Sequence, residues 1–198
     1  MKAIGFTHSL GIDETQSLFE FDVPDPVANG RDLLVDVKAV SVNPADAKRR
    51  IRTAVDTPHE APLVLGYDAV GVVAAVGSDV TNFAVGDEVW YAGDPTRSGS
   101  NAQRQLVDER VVGRKPKNLS WAEAAAMPLT GLTSFEMLFD RFCITEGSGK
   151  GKSLLVIGGA GGVGSLTIQL ARKLTDLTVI ATASRPETAE WCREMGAH

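Results

Sequence analysis

Short runs of alternating hydrophobic and polar residues fill the first part of the chain. In residues 33–42, apolar side chains at alternate positions from Leu33 to Ala39 predict a β-strand with one buried face. Residues 70–76 are more continuously apolar, and Pro, Gly and Asp separate such runs over residues 1–117. This pattern predicts an antiparallel, barrel-like β domain.

The pattern changes at Ser120. Ser120 and Glu123 form a capping-box sequence ahead of an alanine-rich run, which predicts that a helix begins there, and Pro128 limits how far it continues. Residues 130–139 predict a second helical segment, and residues 146–152, rich in Gly and Lys, predict a surface turn. We therefore place a domain boundary between residues 119 and 120.

A strand, a glycine-rich turn and a helix follow in the last part of the chain. Residues 153–157 are almost continuously apolar, which is typical of a strand buried on both faces of a parallel sheet. Residues 158–164 form the turn, and the residues after it show the spacing of a helix with one apolar face. That face consists of Val163, Leu166, Thr167, Leu170, Ala171 and Leu174. Residues 177–183 then predict a second strand and residues 186–195 a second helix, opened by Pro186 and closed by Gly196.

This order of elements is the beginning of a doubly wound α/β domain. Such a domain contains two βαβαβ halves, and the chain reaches His198 with less than one half. We therefore expect residues 120–198 to be the first part of a Rossmann domain that is truncated at its C-terminus. On this expectation the 198-residue chain alone lacks turnover.

Gly159, Gly161 and Gly164 satisfy the pattern GxGxxG between a predicted strand and a predicted helix. We expect Gly159 to permit the tight turn, Gly161 to let a diphosphate approach the backbone, and Gly164 to let helix and strand pack closely. Free N–H groups and the helix dipole would then bind the pyrophosphate of a dinucleotide. The predicted cofactor-binding residues of this turn are Gly159, Ala160, Gly161, Gly162, Val163 and Gly164.

This turn has two alternative interpretations. A glycine-rich turn that binds nothing is the first. A nucleoside-triphosphate loop is the second, and it is disfavoured because GxxxxGK[ST] requires Lys after its second glycine, whereas Ser165 and Leu166 follow Gly164.

The residues after the second predicted strand indicate which nicotinamide cofactor binds. Sites that prefer NAD usually carry Asp or Glu there, about 20 residues beyond the glycines, to bind the ribose 2′-hydroxyl. Here Ser184 and Arg185 follow Thr182 and Ala183. Because a hydroxyl and a guanidinium group favour the 2′-phosphate, we predict NADPH as the cofactor, bound by Ser184 and Arg185. The alternative is that Arg185 is an ordinary solvated surface residue.

Composition argues against several classes of protein. The 198 residues are 43% hydrophobic, with 20 basic and 25 acidic side chains and a net charge of -5. This argues against disorder and gives no electrostatic footprint for nucleic acid or an anionic membrane. No apolar run approaches about 20 residues, and no leader-like pattern begins the chain, so we predict no membrane contact and a cytoplasmic location.

Cys143 and Cys192 lie far apart, which predicts two buried or half-buried thiols.

Five stretches carry a resemblance to a known family. They are residues 42–46 (VNPAD), 65–73 (LGYDAVGVV), 85–89 (VGDEV), 124–133 (AAAMPLTGLT) and 158–165 (GGAGGVGS). On these stretches the chain resembles the medium-chain dehydrogenase/reductase superfamily, and within it the zinc-free quinone oxidoreductases and zinc-type alcohol dehydrogenase-like proteins. The resemblance implies a GroES-like catalytic domain over residues 1–119, a partial Rossmann domain over residues 120–198 and, in the full-length parent, a homodimer.

The resemblance also implies the remaining site residues. Zinc members carry Cys near the first stretch and His and Glu in the second, where this chain has Asn43, Tyr67 and Asp68, so soft S and N ligands are missing and no metal is expected. Asn43 and Tyr67 would face the nicotinamide and the substrate as catalytic residues, and Thr130 would contact the cofactor. The alternatives are a turn role for Asn43, with Asp46 capping the next helix, and a packing role for Tyr67 between strands.

Two positions depart from the family pattern. Lys48 stands where some quinone reductases have Tyr, and Thr188 stands where Lys often helps to bind the 2′-phosphate, so Arg185 would act in its place. The expected function is an NADPH-dependent oxidoreductase that reduces quinones or α,β-unsaturated carbonyls by hydride transfer without zinc. The alternative is an NADPH-binding redox sensor or structural protein with little turnover.

Overall fold

A computed structural model of the chain describes residues 1–52 and 58–198. The chain forms two compact units, Met1–Pro128 and Leu129–His198.

The first unit is built from antiparallel strands. Its strands are β1 (Lys2–Phe6), β2 (Phe19–Asp22), β3 (Asp32–Val40), β4 (Leu63–Val64), β5 (Ala69–Val76), β6 (Glu88–Tyr91), β7 (Arg104–Asp108) and β8 (Val112–Arg114). A five-stranded sheet has the order β7-β3-β5-β6-β8, and a three-stranded sheet has the order β2-β1-β4. Helix α1 (Pro44–Arg52) follows β3, a 3-10 turn (Glu109–Val111) follows β7, and helix α2 (Trp121–Ala125) follows β8.

The core of this unit lies on one face of the five-stranded sheet. Its fully packed members are Leu33, Val35, Ala69, Val73, Val89, Tyr91 and Val107. Leu33 and Val35 belong to the alternating pattern that predicted β3, and both are completely buried. The predicted antiparallel β domain is therefore confirmed.

Helix α2 covers another part of the sheet. Ser120 caps it as predicted, since Glu123 N donates to Ser120 Oγ over 3.3 Å and Ser120 N donates to Glu123 Oε2 over 2.9 Å. Ala124 and Ala125 pack against Val70 of β5. Because this contact joins α2 to the β sheet, the compact units divide at Pro128 rather than at the change of sequence pattern near Ser120. A functional domain boundary at 119/120 stays a prediction.

The second unit contains a parallel strand pair with helices. Its elements are α3 (Pro128–Phe135) with a π-helical turn (Glu136–Arg141), β9 (Ser153–Val156), α4 (Gly162–Leu174), β10 (Thr178–Ala181) and α5 (Pro186–Glu194). β9 and β10 pair in parallel in register. Leu138, Val156, Ile168, Ala171, Val179 and Cys192 form its core. The predicted order of strand, glycine turn, helix, strand and helix is confirmed, and with it the Rossmann-type α/β character of this part of the chain.

Three expectations about burial are corrected. The strand over residues 153–157 is not buried on both faces, because α4 packs on the Val156 side while Leu155 is 58% and Ile157 81% exposed. Ile168, outside the predicted apolar face of α4, is fully buried, whereas Val163 is 36% exposed.

The thiols also differ from each other. Cys192 is buried in the core of the second unit, but Cys143 is exposed in a loop where its φ is +52°. The expectation of two buried or half-buried thiols was therefore wrong for Cys143. Over the described ranges, no helix combines the length and the apolar character needed to cross a membrane.

Candidate dinucleotide-binding site

The turn between β9 and α4 is held by its own backbone. Gly158 has a left-handed backbone (φ +69°), and its carbonyl accepts from Gly161 N over 3.0 Å. Gly161 then caps α4, its carbonyl accepting from Ser165 N over 2.8 Å. The residue that needs glycine for the tight turn is thus Gly158, which corrects the role expected for Gly159.

The three glycines of the motif differ in what surrounds them. A Cβ on Gly159 would lie 2.8 Å from Ala181 Cβ and 2.9 Å from Cys192 Sγ. A Cβ on Gly164 would lie 2.5 Å from the Gly158 carbonyl oxygen. A Cβ on Gly161 would meet only that oxygen, at 3.4 Å. Gly159 and Gly164 therefore allow close packing, and Gly161 leaves an open, exposed surface.

The start of α4 offers several N–H groups to an anion. Gly162, Val163 and Gly164 precede the first intrahelical hydrogen bonds, and no side chain caps this end of the helix. α4 is 13 residues long, and the positive end of its dipole lies at the glycine turn because the helix begins there. Arg172 and Lys173 lie at the opposite, negative end. N–H groups and dipole together suit a phosphate group.

Thr130 lies beside this helix start. Its Cγ2 is 3.2 Å from the position of a Cβ on Gly162. α3 is fixed there by Ser134, whose Oγ lies 3.0 Å from the Val163 carbonyl oxygen and accepts from Thr167 Oγ1 over 3.0 Å. Ser134 and Thr167 are both buried. The structure therefore brings the predicted residue Thr130 next to the glycine turn.

Ser184 and Arg185 follow β10 and are exposed. Arg185 Nε lies 2.7 Å from Glu187 Oε1, and both side chains are 67% exposed. An ion pair of this kind contributes little, about 0 to 1 kcal/mol, so it leaves the guanidinium group available to a ligand. Thr188 accepts from Arg185 N over 3.1 Å and donates to the Arg185 carbonyl oxygen over 2.8 Å, which fixes the backbone at the start of α5.

In the first unit, Asn43 belongs to a buried cluster of polar side chains. Asn43 Nδ2 donates to Asp68 Oδ2 over 2.8 Å, and Ser41 Oγ donates to the same oxygen over 2.6 Å. Asp68 is completely buried. The side chain of Asn43 is therefore held in one orientation by a carboxylate 25 residues away along the chain.

Asp46 connects the loop before α1 with the loop before β5. Its Oδ2 accepts from Asn43 N over 2.8 Å, and its Oδ1 accepts from Gly66 N over 3.1 Å. The capping role considered for Asp46 is therefore present, while the Asn43 side chain makes separate contacts with Asp68. No spacing in the sequence marks Ser41 or Asp68 as partners of Asn43, because these contacts depend on the fold.

Tyr67 lies between Gly66 and Asp68 and is half-buried. Gly66 has a φ of +109°, and a Cβ there would lie 2.3 Å from Ser100 Oγ, so only glycine fits before Tyr67. In the parts of the chain that the structure describes, no group of three or more His, Cys, Asp or Glu side chains could hold a metal ion.

The chain is similar to known proteins in sequence and in structure. Residues 29–136 match the alcohol dehydrogenase GroES-like domain family. A zinc-type alcohol dehydrogenase-like protein of Staphylococcus aureus (strain MSSA476) is 48% identical over the whole chain, which covers 58% of its length. A 2-methylene-furan-3-one reductase of Solanum lycopersicum is 40% identical and covered to 50%, and an NADPH-dependent alkenal/one oxidoreductase of Arabidopsis thaliana is 39% identical and covered to 51%. The chain thus spans between 50% and 58% of the length of these relatives.

Solved structures agree with these sequence matches. A Rhizobium etli CFN 42 protein named for the zinc-dependent alcohol dehydrogenases has a TM-score of 0.93 at 55% identity, with 100% of this chain and 57% of that chain covered. A quinone oxidoreductase of Pseudomonas syringae pv. Tomato has a TM-score of 0.81 at 31% identity, with 99% of this chain and 57% of that chain covered. A mycobacterial protein complexed with NADPH has a TM-score of 0.82 at 31% identity, with 100% and 57% covered.

These matches confirm the resemblance on the five sequence stretches. The GroES-like match covers most of the β-rich unit, and the structural matches extend over the βαβα part. The chain belongs to the alcohol dehydrogenase GroES-like family and, within the medium-chain dehydrogenase/reductase superfamily, to the quinone oxidoreductase branch.

Proposed function

We propose that this protein is an NADPH-dependent oxidoreductase that reduces quinones or α,β-unsaturated carbonyls without zinc. The observation that carries the proposal is the uncapped start of α4 behind Gly161, where backbone N–H groups meet an open surface. Oxidoreductase activity in general is supported by the relatives, which are named as quinone, alkenal/one and furanone reductases.

The choice of NADPH rests on the residues after β10. Ser184 and Arg185 offer a hydroxyl and a guanidinium group, and no acid occupies residues 182–185. The Arabidopsis relative is named as NADPH-dependent, and the mycobacterial structure contains NADPH. Arg185 would bind the 2′-phosphate by exchanging its weak contact with Glu187 for a charge-assisted contact with the cofactor.

A conjugated carbonyl is the substrate that fits this chemistry. When bound, the cofactor supplies a hydride to a carbon that the substrate's own conjugation has already activated. Tyr67 and Asn43 would then hold the substrate carbonyl by hydrogen bonds, in place of a Lewis acid. Asn43 is suited to this role because Asp68, itself bound by Ser41, holds the Asn43 side chain in one orientation.

Zinc is not part of the proposal. The stretches that hold the metal in zinc-dependent members carry Asn43, Tyr67 and Asp68, none of which is a thiolate or an imidazole. The Asp68 oxygen nearest to Asn43 already accepts two hydrogen bonds. Metal analysis of the purified protein tests this point, and stoichiometric zinc would overturn it.

Oxidation of NADPH in the presence of a simple quinone or a simple enone tests the function. Both the 198-residue chain and any longer product of the same gene are assayed. Turnover that requires substrate, with a saturated ketone or hydroquinone as product, supports the proposal. Because the 198-residue chain alone is expected to lack turnover, the longer product decides between the two functions. Tight NADPH binding by the longer product with no turnover on either substrate would favour the alternative, a redox sensor or structural protein. A homodimer stays a prediction, which the molar mass in solution tests.

A further inference from the structure

Thr182 makes three hydrogen bonds, one to the end of β9 and two to the glycine turn. It lies directly after β10, and its backbone N donates to the Val156 carbonyl oxygen over 2.9 Å, while its own carbonyl oxygen accepts from Gly159 N over 3.0 Å. Any residue could make these two contacts. The third contact depends on the side chain, because Thr182 Oγ1 accepts from Gly158 N over 2.9 Å.

The third contact acts on the residue that shapes the turn. Gly158 is the residue with the left-handed backbone, and its carbonyl oxygen accepts from Gly161 N over 3.0 Å. The peptide groups on both sides of Gly158 are therefore fixed, one by the Thr182 hydroxyl and the other by Gly161. Gly161 in turn is the open position that precedes the first N–H groups of α4.

The turn has few other restraints at this place. Gly158 is exposed, and a Cβ built on it would meet nothing within 4 Å, so no neighbour packs over its Cα, although Gly164 contacts its carbonyl group. Residues with left-handed freedom sample other conformations unless hydrogen bonds select one. The hydroxyl of Thr182 supplies such a bond across 24 residues of sequence.

We propose that Thr182 is a positioning residue for the dinucleotide pyrophosphate, acting through the N–H group of Gly158. This inference rests on the proposed function. Because the pyrophosphate is common to both nicotinamide cofactors, loss of the Thr182 hydroxyl weakens NADPH and NADH by the same factor. Arg185 differs in this respect, since it is assigned to the 2′-phosphate that only NADPH carries.

Thr182→Val and Thr182→Ser provide a matched pair. Valine keeps the shape and removes the acceptor, whereas serine keeps the hydroxyl. Calorimetric titration should show that Thr182→Val weakens the binding of NADPH and of NADH by roughly three- to tenfold, the value of one hydrogen bond, and that Thr182→Ser keeps wild-type affinity.

The melting temperature of Thr182→Val should stay near the wild-type value, because water can replace the lost acceptor at the exposed Gly158 N–H group. Amide hydrogen exchange at Gly158 should become faster in Thr182→Val only.

The outcomes separate this inference from the function on which it rests. Wild-type affinity in Thr182→Val, or equal weakening in Thr182→Ser, overturns the positioning role while leaving the dinucleotide site in place. A Thr182→Val defect that appears only as a lower melting temperature also overturns it. Absence of NADPH binding in the wild-type chain overturns the proposed function and this inference together.

Discussion

Gly164 packs directly against the carbonyl group of Gly158, so that a Cβ on Gly164 would lie 2.5 Å from that oxygen. Gly161 faces the same oxygen, but a Cβ there would stand 3.4 Å away, at the limit of ordinary contact. Two glycines of one motif therefore have different requirements. One is needed for packing, and the other keeps a surface open in front of α4.

Alanine substitutions should separate these two roles. We expect Gly164→Ala to lower the free energy of unfolding by about 1 to 3 kcal/mol, because the methyl group overpacks the turn. Gly161→Ala should cost less than about 1 kcal/mol, since its backbone (φ -74°, ψ 168°) is accessible to alanine. It should nevertheless weaken NADPH binding by about tenfold or more. Chemical denaturation and calorimetric titration measure the two effects. Equal stability losses in both variants would contradict this assignment.

Replacement of Arg185 tests the choice of cofactor. If Arg185 binds the 2′-phosphate, Arg185→Ala should weaken NADPH by about ten- to a hundredfold through loss of a charged hydrogen bond, and NADH far less. Titration with each cofactor measures the ratio. Equal losses for the two cofactors would show that Arg185 is an ordinary surface residue.

Glu187→Gln is the companion variant. It removes the carboxylate that lies 2.7 Å from Arg185 Nε without touching the guanidinium group. NADPH affinity should rise, by no more than about fivefold because the ion pair is exposed, and the gain should shrink as salt is added. NADH affinity should not change. A loss of NADPH affinity would mean that Glu187 orients Arg185 instead of competing for it.

The buried hydroxyl pair of Ser134 and Thr167 predicts a non-additive effect on stability. Ser134→Ala removes the acceptor of Thr167 Oγ1 and should cost about 1 to 3 kcal/mol, since a buried donor is left unpaired. Adding Thr167→Val to Ser134→Ala removes that donor. The double variant should therefore lose less unfolding free energy than the sum of the losses in the two single variants. Thr133→Ala, at an exposed position of the same helix, is the control and should change little. Strict additivity in the cycle would contradict the direct hydrogen bond.

Glu109 should account for part of the loss of folding stability of the β-rich unit at low pH. Its buried carboxylate accepts from Asn82 N over 2.9 Å, from Thr81 N over 3.0 Å and from Arg31 Nη1 over 2.9 Å. The N–H group of Asn82 contributes most to holding the pKa of Glu109 below its ordinary value, while burial opposes that shift. A lowered pKa in the folded state means that stability is present above the unfolded pKa of about 4.3 and is lost as pH falls below it.

Glu109→Gln should therefore flatten the decline of stability below about pH 4.3. At neutral pH the variant should be less stable than the wild type, because the charge-assisted bonds to the loop are lost. The exposed Glu146, replaced by Gln, is the matched control and should follow the wild-type curve. Wild-type slope in Glu109→Gln would contradict this role.

Features with local causes were predictable from the sequence. The capping of α2 depends on Ser120 and Glu123, which are three residues apart, and the start of α4 depends on glycines within one turn. The burial of Ile168 in place of Val163 could not be read from spacing, because Ile168 packs with Val156 and Val179, which lie on separate strands.

Contacts between distant residues were also beyond the sequence pattern. Asp68 orients Asn43 across 25 residues, and Thr182 holds Gly158 across 24 residues. Neither pair has a local spacing that marks it. The strand pairing of the fold brings the second pair together, because Thr182 and Gly158 follow the adjacent parallel strands β10 and β9.

Calorimetric titration of the wild-type and Gly161→Ala chains with NADPH and NADH tests the central claim most directly. We expect the wild type to bind NADPH more tightly than NADH, and Gly161→Ala to weaken binding of both cofactors while its melting temperature stays within a few degrees of the wild-type value. Unchanged NADPH affinity in Gly161→Ala, or no binding of NADPH to the wild type, would contradict a pyrophosphate site on the turn between Gly158 and Gly164.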